Sequence, residues 1–231
     1  MWTIPKIWEG GDVWIIGGGP SLTEQFEIPS EVVKSVMDRT SSPSVYSPYM
    51  KAIHDKHVIG VNIAFMIGDW IDIVMFGDTG FLLRYQNELA QFPGLKLTCT
   101  PHCADIKWIK HIDKDREHPR GISLTPSRVS WNGNTGAAAI SVAAHAGAKR
   151  IILVGFDMKS GKDDYAHWHD VYLRGRIVEP QRKMKLPYDK FLRRFKYIAE
   201  DAKKMGIEII NACPDSAITE FRKTTVKELL Q

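Results

Sequence analysis

The sequence has few cysteines and no long apolar run, and each shortage excludes a class of protein. Only three cysteines occur in 231 residues, an odd number that argues against a disulfide framework and favours a reducing compartment. No apolar stretch approaches the roughly 20 residues that span a bilayer, and the first residues lack the basic flank and apolar core of a signal peptide. We therefore expect a cytoplasmic protein with no membrane span.

Short apolar runs alternate with helical patterns along the chain. The runs are 12–17, 57–62, 72–77, 95–99, 150–156 and 207–212, and the helical patterns are 79–92, 135–148 and 188–206. Such nearly continuous runs suit parallel strands that are buried on both faces. The sequence predicts one α/β domain over residues 1–231, with a Rossmann-like, mostly parallel twisted sheet flanked by helices. Residues 39–50 resist assignment, and we expect residues 100–134 and 158–187 to form an irregular lid.

A glycine-rich turn follows the first apolar run, in the stretch VWIIGGGPSL at 13–22. The dinucleotide-binding fingerprint would need a third glycine where Leu22 stands. A P-loop would need a lysine near the end of the turn, and none occurs before Lys34. The turn therefore fits neither of these common phosphate-binding loops.

Glycines and small polar residues stand where the predicted strands end or where a helix begins. In an open parallel sheet, ligands bind at the carboxyl ends of the strands. One such residue alone would indicate a turn or a helix cap, but their number predicts a ligand site. The candidates are Gly17, Gly18, Gly19, Pro20, Ser21, Asn62, Asp78, Asn134, Thr135, Gly136, Asp157, Asn211, Pro214 and Ser216.

These motifs together resemble a known group of transferases. The glycine-proline-serine turn, Asn62, the alanine-rich helix opening with TG, RIILVGFDM (150–158) and IEIINACPDSAI (207–218) are similar to the bacterial sialyltransferases of glycosyltransferase family 42. They are also similar to the related archaeal 6-hydroxymethylpterin diphosphokinases and motility-accessory-factor glycosyltransferase domains, and to compact phage and prophage relatives. The resemblance covers 12–22, 57–80 and 133–216.

The resemblance implies a nucleotide site whose floor is the glycine turn. In these families the small residues of the turn let backbone amides approach a phosphate or a sugar. At matching positions, one set of residues would hold the nucleotide and its phosphates, and the segment CPDS at 213–216 would meet the base. That set is Gly17, Gly19, Pro20, Ser21, Asn62 and Thr135.

Two histidines in DDYAHWHD at 163–170 are the candidate catalytic bases. The sialyltransferases place their histidine just before the last long helix, where this chain has none, so the position of His167 and His169 is nearer to the diphosphokinase-like branch. Either imidazole could take a proton from an acceptor hydroxyl. We expect His167 to be the base, with Tyr165 or Asp157 orienting the ring.

Metal binding is left open by the sequence. The histidine pair with Asp170 or Asp157 could hold a divalent ion, and Asp78 permits the Mg²⁺ that a diphosphokinase needs. The family 42 enzymes need no metal. The segment CTPHC at 99–103 has no second cysteine pair and does not predict a closed zinc site.

Basic residues are concentrated near the C-terminal third of the chain. Between Arg174 and Lys196 there are nine basic residues and two acidic ones. This run indicates either a solvated helix face or a positive rim for a phosphorylated ligand or a polyanionic acceptor.

Three functions are consistent with these features. The first, which we favour, is a glycosyltransferase that moves a sugar from a nucleotide-sugar donor to an acceptor hydroxyl. The second is a Mg²⁺-dependent diphosphokinase acting on a small hydroxymethyl compound. The third is a non-catalytic module that binds a nucleotide or a nucleic acid.

Overall fold

An eight-stranded parallel sheet forms the centre of the protein. In the computed structural model, which describes residues 2–161, 165–169 and 186–231, its strands are β1 (Asp12–Ile16), β2 (His57–Val61), β3 (Ile73–Phe76), β4 (Leu95–Thr98), β5 (Lys110–His111), β8 (Arg150–Val154), β9 (Glu208–Asn211) and β10 (Arg222–Lys223). Their order is β10-β9-β8-β1-β2-β3-β4-β5. Two further strands, β6 (Asp113–Lys114) and β7 (Arg128–Val129), form a separate parallel pair.

The six predicted strands are all present, because they are the strands buried on both faces. In β1, Val13 and Trp14 point to opposite sides of the sheet and are both buried. Their neighbours in β8 are Ile151 and Ile152. Since neither face meets water, the strand reads as a continuous apolar run. The Rossmann-like α/β class is therefore confirmed.

Helices cover both faces of the sheet. They are α1 (Ser21–Gln25), α2 (Ser30–Met37), α3 (Thr79–Gln91), α4 (Thr135–His145), α5 (Tyr188–Lys204) and α6 (Val226–Leu229), with 3-10 helices at Pro43–Ile53, Asn62–Ile67 and Pro101–Cys103. The three predicted helices correspond to α3, α4 and α5. None of the helices in the described ranges is both long and apolar enough to cross a membrane.

Two hydrophobic cores lie on opposite sides of the sheet. The alanines of α4 and the apolar stripe of α5 pack on the side that contains Val13 and Ile15. Residues of α1, α2, α3 and the 3-10 helix at Pro43–Ile53 pack on the side that contains Trp14 and Ile16. Small alanine side chains let the axis of α4 lie close to the strands.

The strand order creates a switch point between β1 and β8. The chain first builds β1 to β5 toward one edge and then returns to place β8, β9 and β10 on the other side of β1. In open α/β sheets, ligands bind outside the carboxyl ends of the strands at such a reversal. The residues directly after β1 and β8, Gly17 and Gly155, stand at this place.

The predicted lid requires correction. Residues 100–134 contain β5, β6 and β7, and Ile109, Ile112, Ile122 and Val129 are buried in the cores. Strands of two residues leave no periodic pattern, so the sequence did not reveal them. In the other lid segment, residues 162–164 and 170–185 lie outside the described residues, and with them Asp170 and the first part of the basic run.

Candidate functional site

A cavity of about 680 Å³ opens at the carboxyl edge of the sheet, at the switch point. This volume lies within the range of roughly 300–1,000 Å³ that is typical of small-molecule sites. Most of the predicted site residues line it, although they come from distant parts of the sequence. The predicted residues in its lining are Gly17, Gly18, Gly19, Asn62, Asp78, Asn134, Thr135, Gly136, Asp157, His167 and His169.

The other predicted residues are outside the lining: Pro20, Ser21, Tyr165, Asn211, Pro214 and Ser216. Asn211 Nδ2 and Ser216 Oγ donate to the Phe156 carbonyl at 3.2 and 2.6 Å. These two side chains therefore hold the loop after β8 from behind. Pro214 is exposed, and the expectation that CPDS meets a base finds no support in this geometry.

The glycine turn packs tightly against the loop after β8. A Cβ on Gly17 would lie 2.6 Å from the Gly155 carbonyl oxygen, and a Cβ on Gly19 would overlap the Asp157 carboxylate. The amides of Gly17 and Gly19 already donate to Val154 O and Gly155 O, both at 2.8 Å. Contrary to the expectation from the resemblance, these two amides are occupied by the protein and do not face a phosphate.

Asp157 is held by the start of α1. The Ser21 amide donates to Oδ1 at 3.1 Å, and the Ser21 hydroxyl donates to Oδ2 at 2.8 Å. Burial raises the pKa of Asp157, and the two Ser21 hydrogen bonds oppose that rise. Both carboxylate oxygens are thus engaged with Ser21, which explains why Asp157 does not orient His167 as the sequence predicts.

His167 is oriented by backbone. Its Nδ1 lies 3.2 Å from the Gly18 carbonyl oxygen, and because a carbonyl can only accept, Nδ1 carries the proton and Nε2 is the basic nitrogen. Burial lowers the pKa of His167 to about 4, against a smaller opposing effect of the Gly18 hydrogen bond. The ring is therefore neutral at physiological pH. Tyr165, the other predicted orienting group, is 52% exposed.

His169 stacks on His167, with ring centroids 5.2 Å apart and nearly parallel planes. It is only 3% exposed, and burial lowers its pKa far below the usual value. Its depth in the protein makes it the poorer of the two candidates for contact with an acceptor.

Trp168, between the two histidines, fixes this segment to the glycine turn. Its Nε1 donates to Gly17 O at 2.8 Å and its amide donates to Gly18 O at 3.0 Å. The indole is 1% exposed and packs edge-on against Tyr46, whose hydroxyl donates to Trp168 O at 3.3 Å. Nothing in the sequence indicates this role of Trp168, since a buried anchor leaves no local pattern.

Several lining residues were missed by the sequence reasoning. Arg84 and Phe81 reach the cavity from the first turns of α3, and Tyr188 and Phe191 reach it from the start of α5. The spacing 80, 81 and 84 after Asp78 puts Gly80, Phe81 and Arg84 on one helix face. That spacing was the available signal for Arg84, which brings a positive charge to the site.

Two buried amide atoms at the cavity lack partners within the described ranges: Asn62 Oδ1 and Asn134 Nδ2. Asn134 Oδ1 caps α4 by accepting from the Ala137 amide at 2.7 Å, so its Nδ2 is left over. Asn62 has a left-handed φ of 52°, a conformation that asparagine tolerates. A buried polar group without a partner is costly, and a ligand with hydroxyl groups would satisfy both.

The arrangement offers little for a metal ion. In the described ranges there is no group of three or more His, Cys, Asp or Glu side chains that could hold one. Asp78 is exposed at the start of α3, and the Asp157 oxygens accept from Ser21. Cys99 and Cys103 are buried thiols, and His102 between them is exposed.

Comparisons with known proteins identify no family. No protein-family model matches the sequence, and no curated protein matches it. Among solved structures, the chain is similar to the enoyl-acyl carrier protein reductase of Bacillus cereus in complex with NADP+ and indole naphthyridinone. The identity is 10%, the TM-score is 0.28, and the match covers 89% of this chain and 72% of that chain. The resemblance to family 42 and its relatives stays an expectation.

Proposed function

We propose that this protein is a transferase that binds a nucleotide-activated donor at the switch point, and that the donor is a nucleotide sugar. The observation that supports this most is the position of His167, a neutral and oriented imidazole in the wall of a nucleotide-sized cavity. A histidine fixed in this way is suited to remove a proton from an acceptor hydroxyl.

The donor phosphate is assigned to the start of α4. The first amides of a helix have no acceptor within the helix and carry its positive dipole end, and Thr135 and Gly136 bring these amides to the cavity. Arg84 and Lys159 add positive charge to the same lining. Phosphates bind readily at such a helix start, and this site takes the place of the Gly17 and Gly19 amides, which donate within the protein.

In the proposed reaction, the acceptor hydroxyl attacks the anomeric carbon of the sugar. A new carbon–oxygen bond forms while the bond from that carbon to the phosphate oxygen breaks, and the nucleotide leaves with the electron pair. His167 Nε2 takes the hydroxyl proton. Gly18 holds the Nδ1–H tautomer throughout, because its carbonyl only accepts.

The diphosphokinase alternative has less support. It needs Mg²⁺ bridging the phosphates through one or two carboxylates. Of the two candidates in the lining, Asp157 is engaged by Ser21, so Asp78 would have to serve without it. The non-catalytic alternative leaves the orientation of His167 by Gly18 without a use.

A thermal-shift series tests donor binding. We would measure unfolding with CMP, UDP, GDP, ADP and ATP, each with and without Mg²⁺. A ligand at 100 times its dissociation constant adds about 2.7 kcal/mol of stability. The variant Arg84→Gln should weaken nucleotide binding at least tenfold, and Arg116→Gln, which changes an exposed arginine outside the cavity lining, should not.

The outcomes separate the candidate functions. A shift that requires Mg²⁺ and is lost in Asp78→Asn would favour the diphosphokinase. If no nucleotide stabilises the protein, or if Arg84→Gln and Arg116→Gln behave alike, the proposed donor site is wrong. A nucleotide that binds equally well to His167→Asn but is no longer consumed would support the role of His167 as base.

A further inference from the structure

A positively charged surface lies on α5, next to the cavity but separate from it. Lys190, Arg193, Arg194 and Tyr197 have the spacing i, i+3, i+4 and i+7 of a single helix face. Lys190, Arg193 and Lys196 are exposed, and Arg194 is half-buried. Lys196 does not share this spacing, but its Nζ lies 4.8 Å from the centroid of the Tyr197 ring. We call Lys190, Arg193, Arg194 and Lys196 together the basic face of α5.

The basic face of α5 carries more positive than negative charge: two exposed acids of the same helix, Asp189 and Glu200, each lie four residues from one of its cations. Among the residues that the structure describes, none of the four forms an ion pair. Asp201, an acid on the same helix, is 6% exposed and accepts from His118 at 2.9 Å, the Ile122 amide at 3.1 Å and Lys204 at 3.1 Å. Its carboxylate is turned inward, so four cations stand against two exposed acids and the surface stays net positive.

Arg120 extends the basic face from a second part of the chain. Its guanidinium donates to the Tyr197 hydroxyl at 3.2 Å, and Lys196 Nζ lies 4.8 Å from the Tyr197 ring centroid. The hydrogen bond from Arg120 and the charge of Lys196 lower the pKa of Tyr197. Two cations from different segments are thus gathered around one aromatic ring.

The dimensions of the surface fit an extended anion better than a single phosphate. Lys190 and Lys196 are six residues apart, or about 9 Å along the helix axis. One strand of a nucleic acid carries a phosphate about every 3.4 Å of duplex axis, so the face spans roughly two to three of them. The two arginines of the face add the planar fork that binds phosphate oxygens in pairs.

We propose that the basic face of α5, together with Arg120, binds the sugar-phosphate backbone of a nucleic acid. Tyr188 and Phe191 at the start of the same helix line the cavity, so a strand on this face passes along the cavity rim. Binding is expected to be largely independent of sequence, because it depends on phosphate charge. The proposal concerns a binding surface and does not require the transferase reaction.

Fluorescence anisotropy with a labelled 20-nucleotide single strand tests this surface, across NaCl concentrations from 50 to 300 mM. The triple variant Lys190→Ala, Arg193→Ala and Arg194→Ala should bind at least tenfold more weakly at 100 mM NaCl. Each phosphate contact contributes about 0.7 to the slope of log affinity against log salt for single strands. Loss of three contacts should therefore reduce the slope by about 2.

The matched control removes the same charge elsewhere, in the triple variant Lys34→Ala, Lys51→Ala and Lys107→Ala, all of which are exposed lysines. It should bind the oligonucleotide like the wild type. The proposal is overturned if the wild type does not bind at 50 mM NaCl, or if both triple variants lose affinity alike. It is also overturned if heparin binds more tightly than the oligonucleotide, which would indicate a sulfated polysaccharide.

Two further measurements keep the outcome interpretable. The single variants Lys190→Gln and Arg193→Gln each remove one charge and replace the triple variant if that protein does not fold. The nucleotide thermal shift should be unchanged in all of these variants, since the donor cavity does not include the four residues of the basic face. Failure of oligonucleotide binding with intact nucleotide binding would reject this surface alone.

Discussion

Lowering the pH from 8 to 5 should destabilise the protein through His167. Its pKa falls from 6.5 to about 4 on folding, so between these values the unfolded chain binds a proton that the native state does not. The contribution of His167 to the free energy of unfolding is therefore fully present above about pH 6.5 and is lost as the pH falls toward 4. The loss is about 1.36 kcal/mol per pH unit, or at most about 2 kcal/mol at pH 5.

The assay is urea unfolding followed by tryptophan fluorescence at pH 5, 6, 7 and 8 and constant ionic strength. Burial also lowers the pKa values of His145 and His169, so the wild type contains three contributions of the same sign. The variant His167→Asn removes one of them and leaves the others. Between pH 8 and pH 5, the free energy of unfolding of this variant should fall by about 2 kcal/mol less than that of the wild type.

The control is His102→Asn, because His102 is exposed and lies outside the cavity lining. Its pH dependence should match that of the wild type. If His167→Asn and the wild type lose the same stability within about 0.5 kcal/mol, a typical additivity error, then His167 is not buried as a neutral ring. The proposal that a neutral His167 serves as the base would then be wrong.

Three other predictions follow from the site. Gly19→Ala should destabilise the fold, because the added Cβ overlaps the Asp157 carboxylate, whereas Gly80→Ala meets nothing within 4 Å and should be neutral or stabilising by up to about 1 kcal/mol in urea unfolding. Ser21→Ala should cost about 1–3 kcal/mol in the same assay, since a buried carboxylate loses a donor. On an identified substrate, turnover of the wild type should persist below pH 6 and decline toward about pH 4; a decline centred near 6.5 would contradict the lowered pKa of His167.

The strands were predictable from the sequence because burial on both faces leaves a continuous apolar run. Val13 to Ile16 is such a run, and its partner Ile151 to Val154 is another. The two-residue strands β5, β6 and β7 are too short to leave any pattern. The 3-10 helix at Pro43–Ile53 contains Pro48, which interrupts the helical spacing that would have identified it.

That most of the candidate residues would meet at one edge of the sheet was also predictable, since it depends on where strands end. The contacts that define the chemistry of the site were not. Ser21 and Asp157 are 136 residues apart, and nothing local to either residue indicates that they pair. The donation from Trp168 Nε1 to Gly17 O joins residues 151 positions apart and is equally invisible in the sequence.

The glycine turn illustrates how residues can line the predicted place while making other contacts than those predicted. Glycines at 17–19 suggested backbone open to a phosphate, yet the Gly17 and Gly19 amides donate to the loop after β8. The carbonyls of Gly17 and Gly18 accept hydrogen bonds from Trp168, and the Gly18 carbonyl also accepts one from His167 Nδ1. The absence of side chains lets three backbone segments meet, and the result is a fixed imidazole at the cavity.

The proposed phosphate site is therefore the start of α4 and not the glycine turn, because the first amides of the helix keep their donor capacity. This placement also separates the effects of two substitutions that the sequence alone could not distinguish. A change at Gly19 acts on the fold through Asp157, so a loss of binding there would not identify a ligand contact. A change at Arg84, which lines the cavity from α3, should weaken nucleotide binding while the protein stays folded, and that difference is what the binding and unfolding assays together measure.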